Sequence, residues 1–494
     1  MKAKKQRYRV LSSLLVFFLA NILSISAQTY KEAIERSDQL FAAIGVGTPG
    51  ASVTVSKQGK VIYNNYFGMA DLEHSAPVTE NTLFEAGSVS KQFTATAILL
   101  LAQDGKLQLD DNVQKYIPEL PTYRHPVTIR HLLNHTSGLK DWGALAALGG
   151  WPRGTRVYTN QMALAYIIKQ PTLNNRPGQE YIYSNSNYTL LTLIVERVSG
   201  QRLDVFTQER IFNPLGMEKT RWRTDYQEVV TDRANGYRKR GHSFVLNMPF
   251  ENTYGHAALL TTTNDLDTWN TSWKNSPLGG ESLLRLRTQQ GVLNNGDTIN
   301  YAAGVRIDEI NGRVAVQHSG ATAGYRAYLT YFPEEELSVV FLSNDAGSLT
   351  QGVHQELLNI WTGHPVQKSL TSTNKMNPRP AYELDRLQAQ AFIGTYTSQE
   401  CDGYFDVLLD QSNLVMRNAS ADSRILTPRS DSTFSLAGGG TVRFVTDAHH
   451  QVMGCYITVS RARHVWFKRE GYNNQQEIQR LPNDLEPRQE LLEQ

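Results

Sequence analysis

Ser88 and Lys91 are the pair in this 494-residue chain with the most chemistry to offer. They lie in Phe84-Glu85-Ala86-Gly87-Ser88-Val89-Ser90-Lys91-Gln92-Phe93. A serine hydroxyl is a weak nucleophile until a base takes its proton. A lysine held close, desolvated and deprotonated, can be that base. Free lysine titrates near ~10.4, and bringing it to about 7 takes roughly 4–5 kcal/mol of differential interaction. Burial and a neighbouring cation are the sources able to supply it. The spacing alone says little, because Ser137/Lys140 and Ser372/Lys375 share it. The bland alternative is an N-capping serine beside a solvated lysine.

Two other stretches carry reactive groups. In Arg176 to Tyr188, a phenol and an amide stand two apart as Tyr183-Ser184-Asn185. The phenol can relay protons and the amide can hold a carbonyl. In His318-Ser319-Gly320, followed by Ala321, small residues let a substrate approach the backbone closely. Amides there could complete an oxyanion hole with the Ser88 amide. Packing of aromatics in a turn, and a glycine-rich connection between strands, are the ordinary readings of these two stretches.

The elements that must position these groups are legible. Gly87 breaks the extended run Asn81 to Phe84, and apolar residues at helical spacing run from Phe93 through Ala97, Ile98, Leu100 and Leu101 to Gly105. The pattern predicts a helix opening at Ser88, with Ser88 and Lys91 one turn apart on one face. Residues 30–44 have helical spacing. Ala51 to Ser56 and Val61 to Gly68 read as a hairpin around Lys57-Gln58-Gly59-Lys60. Asn187 to Val198 reads as an amphipathic helix stopped by Gly200. Tyr301 to Ile307, Val314 to Gln317 and Tyr325 to Phe332 read as strands. His131 and His135, four apart, could hold a metal, but no further ligand cluster accompanies them, so capping and packing roles are expected.

Together the three motifs resemble the penicillin-recognising serine hydrolases. The likeness is to the class C β-lactamase-related group with its D-aminopeptidases, DD-carboxypeptidases and esterases. That family's S-x-x-K is Ser88-Val89-Ser90-Lys91, its Y-x-N is Tyr183-Ser184-Asn185, and its third motif is His318-Ser319-Gly320. LLNHTSGL at 132–139 and PLGMEKT at 214–220 are also family-like. The resemblance implies an α/β (α+β) fold of the β-lactamase/transpeptidase type. In it an antiparallel sheet is flanked by helices, with an all-helical subdomain inserted. It implies Ser88 as nucleophile, Lys91 and Tyr183 as the proton-transfer pair and Asn185 as a substrate-orienting group. It also implies His318 and Gly320 as substrate-side residues, with the Ser88 and Ala321 amides as the oxyanion hole.

Two departures stand out. His318 replaces the lysine common in relatives, which points towards a peptidase or esterase; a class C-like β-lactamase is the alternative, and an inactive penicillin-binding-type protein a third. An imidazole titrating near 6.5 is expected to govern substrate choice there. In Gly255-His256-Ala257-Ala258-Leu259, alanines stand where relatives commonly have glycines.

Residues 1–27 read as a secretory signal, with Lys2, Lys4, Lys5, Arg7 and Arg9 before an apolar run. The expectation is an exported protein, periplasmic or secreted, with no stable membrane span after cleavage. The domain reading is 28–365 hydrolase, 366–388 linker, 389–470 a small antiparallel β-barrel of lipocalin-like character, and 471–494 a polar tail. The partner expected is a small-molecule or peptide substrate. A net charge of +2 without charge blocks argues against nucleic acid. No cofactor and no metal is expected. Cys401 and Cys455 are the two cysteines, and export suggests a disulfide between them.

Overall fold

The computed structural model describes residues 30–273, 277–347, 349, 351–364, 382, 384–411 and 413–473. The signal, the Ser372/Lys375 pair and nearly all of the polar tail lie outside them, as does most of the linker. The hairpin expected near the start is the seam of the main sheet. β1 (Ala51–Lys57) turns at Gln58-Gly59 into β2 (Lys60–Phe67). β3 (Arg306–Ile310), β4 (Arg313–Thr322), β5 (Tyr325–Phe332) and β6 (Leu337–Ser343) form a meander. The sheet runs β3-β4-β5-β6-β1-β2, antiparallel throughout, with Ala51 opposite Ser343.

Both faces of β1 are buried, and the alternating sequence explains why. Val53 and Val55 face Phe41, Leu357 and Leu358, brought by a helix at 30–40 with its following turn and by the helix Gln351–Trp361. Ser52 and Ser56 face the helix Thr263–Thr271 on the other side. Ser52 Oγ lies 2.7 Å from Thr263 Oγ1, and Ser56 Oγ donates to Asp267 Oδ1 at 2.7 Å. Hydroxyls can be buried there because each finds a partner.

The helix Lys91–Gln103 is buried along most of its length and packs against Asn185–Ser199 and Leu203–Thr207. Those two belong to an all-helical insertion between Ile129 and Leu215. A chain end away, eight antiparallel strands from Gly394 to Arg469 close into a barrel. Tyr396, Phe405, Phe434, Phe444 and Phe467 fill its interior, and Phe392 from the helix Arg386–Ala391 and its cap packs on Phe434 and Phe444. That helix crosses the 388/389 boundary expected between linker and barrel.

Some expectations are corrected. Ser88 sits in a 3-10 turn, Gly87–Ser90, and the α-helix begins only at Lys91. The ladder expected from Tyr301 begins at Arg306. Gly304, at φ +76°, folds the intervening residues against the Lys91 and Gln92 backbone. The barrel strands Gly394–Ser398, Ser423–Pro428 and Thr433–Leu436 carry no run singled out by alternation. The Cys401–Cys455 disulfide does not form: both thiols are free and buried. Cys455 lies on a barrel strand between Phe444 and Phe467, whereas Cys401 lies in a turn outside the strands.

Candidate active site

A three-stranded sheet sets Ser88. Phe84–Glu85 pairs with Leu259–Thr261, which pairs in turn with Arg221–Trp222. Ala86 N donates to Leu259 O at 2.8 Å, so the chain entering the Ser88 turn runs beside the loop 255–258. Gly87, at φ +51°, then lets the backbone press against β4. A Cβ there would stand 2.7 Å from Ala321 N, and one on Gly320 would stand 2.0 Å from Ala86 O and 3.0 Å from Ser88 N. Neither position tolerates a side chain. The Ser88 and Ala321 amides are thereby brought to one place.

Lys91 is fully buried and Ser88 is half-buried. Lys91 Nζ lies 2.7 Å from His256 O, 3.0 Å from Asn185 Oδ1 and 3.2 Å from Ser88 Oγ. Burial pushes the amine well below the ordinary lysine range, helped by the Arg153 and Arg461 cations and opposed by Asp141. A neutral amine has two N–H bonds and one lone pair. His256 O and Asn185 Oδ1 are acceptors and take the two N–H bonds. The lone pair is left for the Ser88 hydroxyl.

Asn185 opens its helix and is held from behind, since its backbone N donates to Asp141 Oδ2 at 2.6 Å. The Tyr183 hydroxyl is buried, faces Ser88 and makes no well-formed hydrogen bond. Burial pushes this phenol up, so it stays protonated at neutral pH. Its ring rests on His135, 4.2 Å between centroids. His135 Nδ1 accepts from Ser184 N at 3.2 Å and from Asn187 Nδ2 at 3.0 Å. His131 caps its own short helix with Thr128, so the two histidines have the capping and packing roles expected of them.

His318 is placed beside the site but not as expected. It is 5% exposed, and both ring nitrogens are engaged. Nδ1 lies 2.7 Å from Ser319 O and must donate to it. Nε2, 2.9 Å from Tyr301 Oη, then accepts from that phenol. Burial, with Lys91 nearby, pushes the imidazole down to about 3. An imidazole with no N–H to spare and no charge above about 3 cannot switch near 6.5. Ala258 sits at φ +74° where relatives carry glycine, a left-handed residue costing about 1–2 kcal/mol.

Sequence reasoning missed Asp141, Arg153, His256, Tyr301 and Arg461. Asp141 stands two residues beyond the LLNHTSGL phrase, the one local hint. Arg461 comes from the barrel. Its turn, between Val452–Val459 and Ala462–Arg469, docks on the helical insertion: Arg461 O accepts from Asp141 N at 2.9 Å and Asn174 Nδ2 at 3.2 Å. Its guanidinium lies 5.0 Å from the Tyr183 ring centroid. The turn 399–402 docks too, where Lys140 Nζ, fully buried, reaches Glu400 Oε2 at 2.8 Å.

This fold, with a buried lysine on a half-buried serine, defines a serine hydrolase built on the β-lactamase scaffold. The chain belongs to the β-lactamase family, whose model matches residues 37–358. Penicillin-binding protein 4* of Bacillus subtilis (strain 168) is 28% identical over 403 residues, covering 78% of this chain and 87% of the relative. A D-aminopeptidase of Brucella anthropi is 30% identical over 319 residues, 64% of this chain and 59% of the relative. The octameric penicillin-binding protein homologue from Pyrococcus abyssi superposes with a TM-score of 0.60 at 23% identity, covering 90% of this chain and all of that one. SurE superposes at 0.56 with 20% identity, over 90% and 99%. These two likenesses span the barrel as well as the hydrolase domain.

Proposed function

We propose that the protein is an exported hydrolase that works through an acyl-enzyme on Ser88, with D-amino-acid peptides or esters as substrates. The observation that carries the reading is the set of three contacts at Lys91 Nζ, which leaves the lone pair for Ser88. Ser88 Oγ attacks the substrate carbonyl as its proton passes to Lys91. The Ser88 and Ala321 amides hold the oxyanion, and losing one such donor typically raises a barrier by ~3 kcal/mol. Tyr183, kept protonated by burial, gives its proton to the leaving group and is resupplied from Lys91. Water then releases the acyl group by the reverse path, with Lys91 again taking the proton. Asn185 orients the substrate while its Oδ1 fixes Lys91. His318, committed to Ser319 and Tyr301, supports the wall rather than supplying charge.

Intact-mass analysis tests it. A fluorophosphonate should add one adduct to the protein and none to Ser88→Ala. An adduct of equal size on Ser88→Ala removes Ser88 as nucleophile. A β-lactam that acylates faster than an ester of similar size, and turns over, moves the assignment to β-lactamase.

A further inference from the structure

We propose that Arg461, delivered by the barrel, binds a carboxylate on the leaving-group side of the substrate. The proposal rests on the Ser88 reading and narrows its substrate class to acyl compounds whose leaving residue carries a free carboxylate.

The placement of Arg461 is built rather than incidental. Asp141 N and Asn174 Nδ2 both donate to its carbonyl, and the next strand is fixed by Arg463 N donating to Asn174 Oδ1 at 2.7 Å. With the backbone held from two sides, the exposed side chain reaches over the Tyr183 ring. Other cations at the site are already matched. Arg153 pairs with Glu251, Arg306 with Asp308 at 2.9 Å, Arg463 with Glu180 at 3.0 Å and Lys140 with Glu400 at 2.8 Å. The Asp141 carboxylate, whose own backbone N holds the Arg461 carbonyl, is spent on the backbone amides of Asn185 and Ala144. Arg461 makes no ion pair among the described residues. Lys91 is fully buried, its charge disfavoured and its N–H bonds taken by Asn185 Oδ1 and His256 O, and His318 is committed to Ser319 and Tyr301. Arg461 is therefore the cation left to meet an anion.

Chemistry and distance agree on which anion. Guanidinium offers a planar fork that matches carboxylate at two points. Tyr183 serves the leaving group, so a cation over its ring lies on that side of the scissile bond. In a peptide whose last residue departs, nitrogen and Cα separate the scissile carbon from the carboxylate carbon, a span of about 4 Å. A carboxylate so placed falls within reach of a guanidinium 5.0 Å from the ring centroid. The barrel thus supplies the charge that relatives draw from a lysine in the third motif.

The test uses the full chain and a matched pair: an N-acyl D-dipeptide with a free carboxylate, and its C-terminal amide. Wild type should favour the acid, and Arg461→Met should lower the acid-to-amide ratio of kcat/KM by about 10–100-fold, mostly through KM. Arg461→Lys should recover part of the ratio. In wild type alone, the preference should shrink as salt rises from about 0.05 to about 0.5 M, because a half-open ion pair is screened. An unchanged ratio in Arg461→Met, or a wild type without preference for the acid, overturns the proposal. So does failure to turn over either peptide while Ser88 still takes the fluorophosphonate. Loss of that label in wild type instead overturns the Ser88 reading, so the two failures are told apart.

Discussion

The hydrolase domain buries Lys91, His135, His256, His318 and His354, whereas the barrel fills its interior with Tyr396, Phe405, Phe434, Phe444 and Phe467. Burial in the first case is unfavourable to the charged form and yields neutral, reactive or committed groups. Burial in the second is favourable outright, since aromatic area leaves water and the rings meet stacked, edge-on or tilted. Among the described residues of the barrel strands, the buried polar side chains are only Ser398 and Asn418. A domain that carries a neutral lysine gives up stability for chemistry. A domain packed like the barrel can hold a hairpin rigidly against its neighbour. The difference suits the roles proposed for them, with one region reacting and the other presenting Arg461 to it.

The largest expected effect belongs to the reacting region alone. Ser88→Ala should lower kcat on any ester or peptide substrate by up to about a million-fold, and Lys91→Ala by a similar factor, because such groups act as a unit. Thermal unfolding of Ser88→Ala should stay within about 2 °C of wild type, as a half-buried hydroxyl lost from the surface changes little. Undiminished turnover by Ser88→Ala ends the comparison, because the buried lysine then serves nothing.

Acid should separate the two regions next. His318 and His354 each fall to about 3 in the folded chain, against about 6.5 when unfolded. Between those values the unfolded chain binds protons that the native state refuses, so stability rises with pH and is lost as pH falls below about 6.5. The loss is on the order of several kcal/mol for each such histidine by about pH 3. The hydrolase domain should therefore unfold before the barrel on acidification. Tryptophan emission can follow it, because Trp466 is in the barrel and the other six of the seven tryptophans are in the hydrolase domain. A barrel that unfolds first, or urea midpoints that do not move between pH 7 and about 5, would contradict the contrast drawn from burial.

A smaller effect sits at the seam. Glu400→Gln leaves Lys140 buried without a carboxylate, a change expected to cost about 3–5 kcal/mol. The cost should be read as weakened docking of the barrel, visible as faster proteolysis between the domains and loss of the acid preference tied to Arg461. A variant that keeps both wild-type proteolysis and wild-type preference would mean that the Arg461 backbone contacts hold the seam unaided.

The smallest effect concerns the thiols. Burial pushes Cys401 up to about 12 and holds Cys455 well above the ordinary thiol range, so neither reacts readily while folded. A thiol reagent should label both only after denaturation, and reductant should leave the melting temperature unchanged. A mass gain of two hydrogens on reduction of the native protein would restore the disulfide and make the barrel's stability partly covalent.

The sequence by itself determined the local frame of the site. Ser88/Lys91, the hairpin of β1 and β2, and the helix after Tyr183 were legible because each rests on short-range rules: helical spacing, alternation, and glycine where the backbone must turn. The order of three motifs identified the family for the same reason, each being a local element. The rest was decided by contacts between residues far apart in the chain. Tyr301 engages His318 and cancels the titration that its type alone suggests, and His256 contributes only a carbonyl, which no side-chain motif records. The strand Ser423–Pro428 was illegible because barrel closure leaves Ile425 exposed beside buried Leu426, and Thr433–Leu436 because its alternation lasts only four residues. Arg461 lies 370 positions beyond Lys91, and nothing in its local sequence marks it (461 − 91). Only the docking of one domain on the other brings that cation to Tyr183, because the energy that places it is spread over the whole seam.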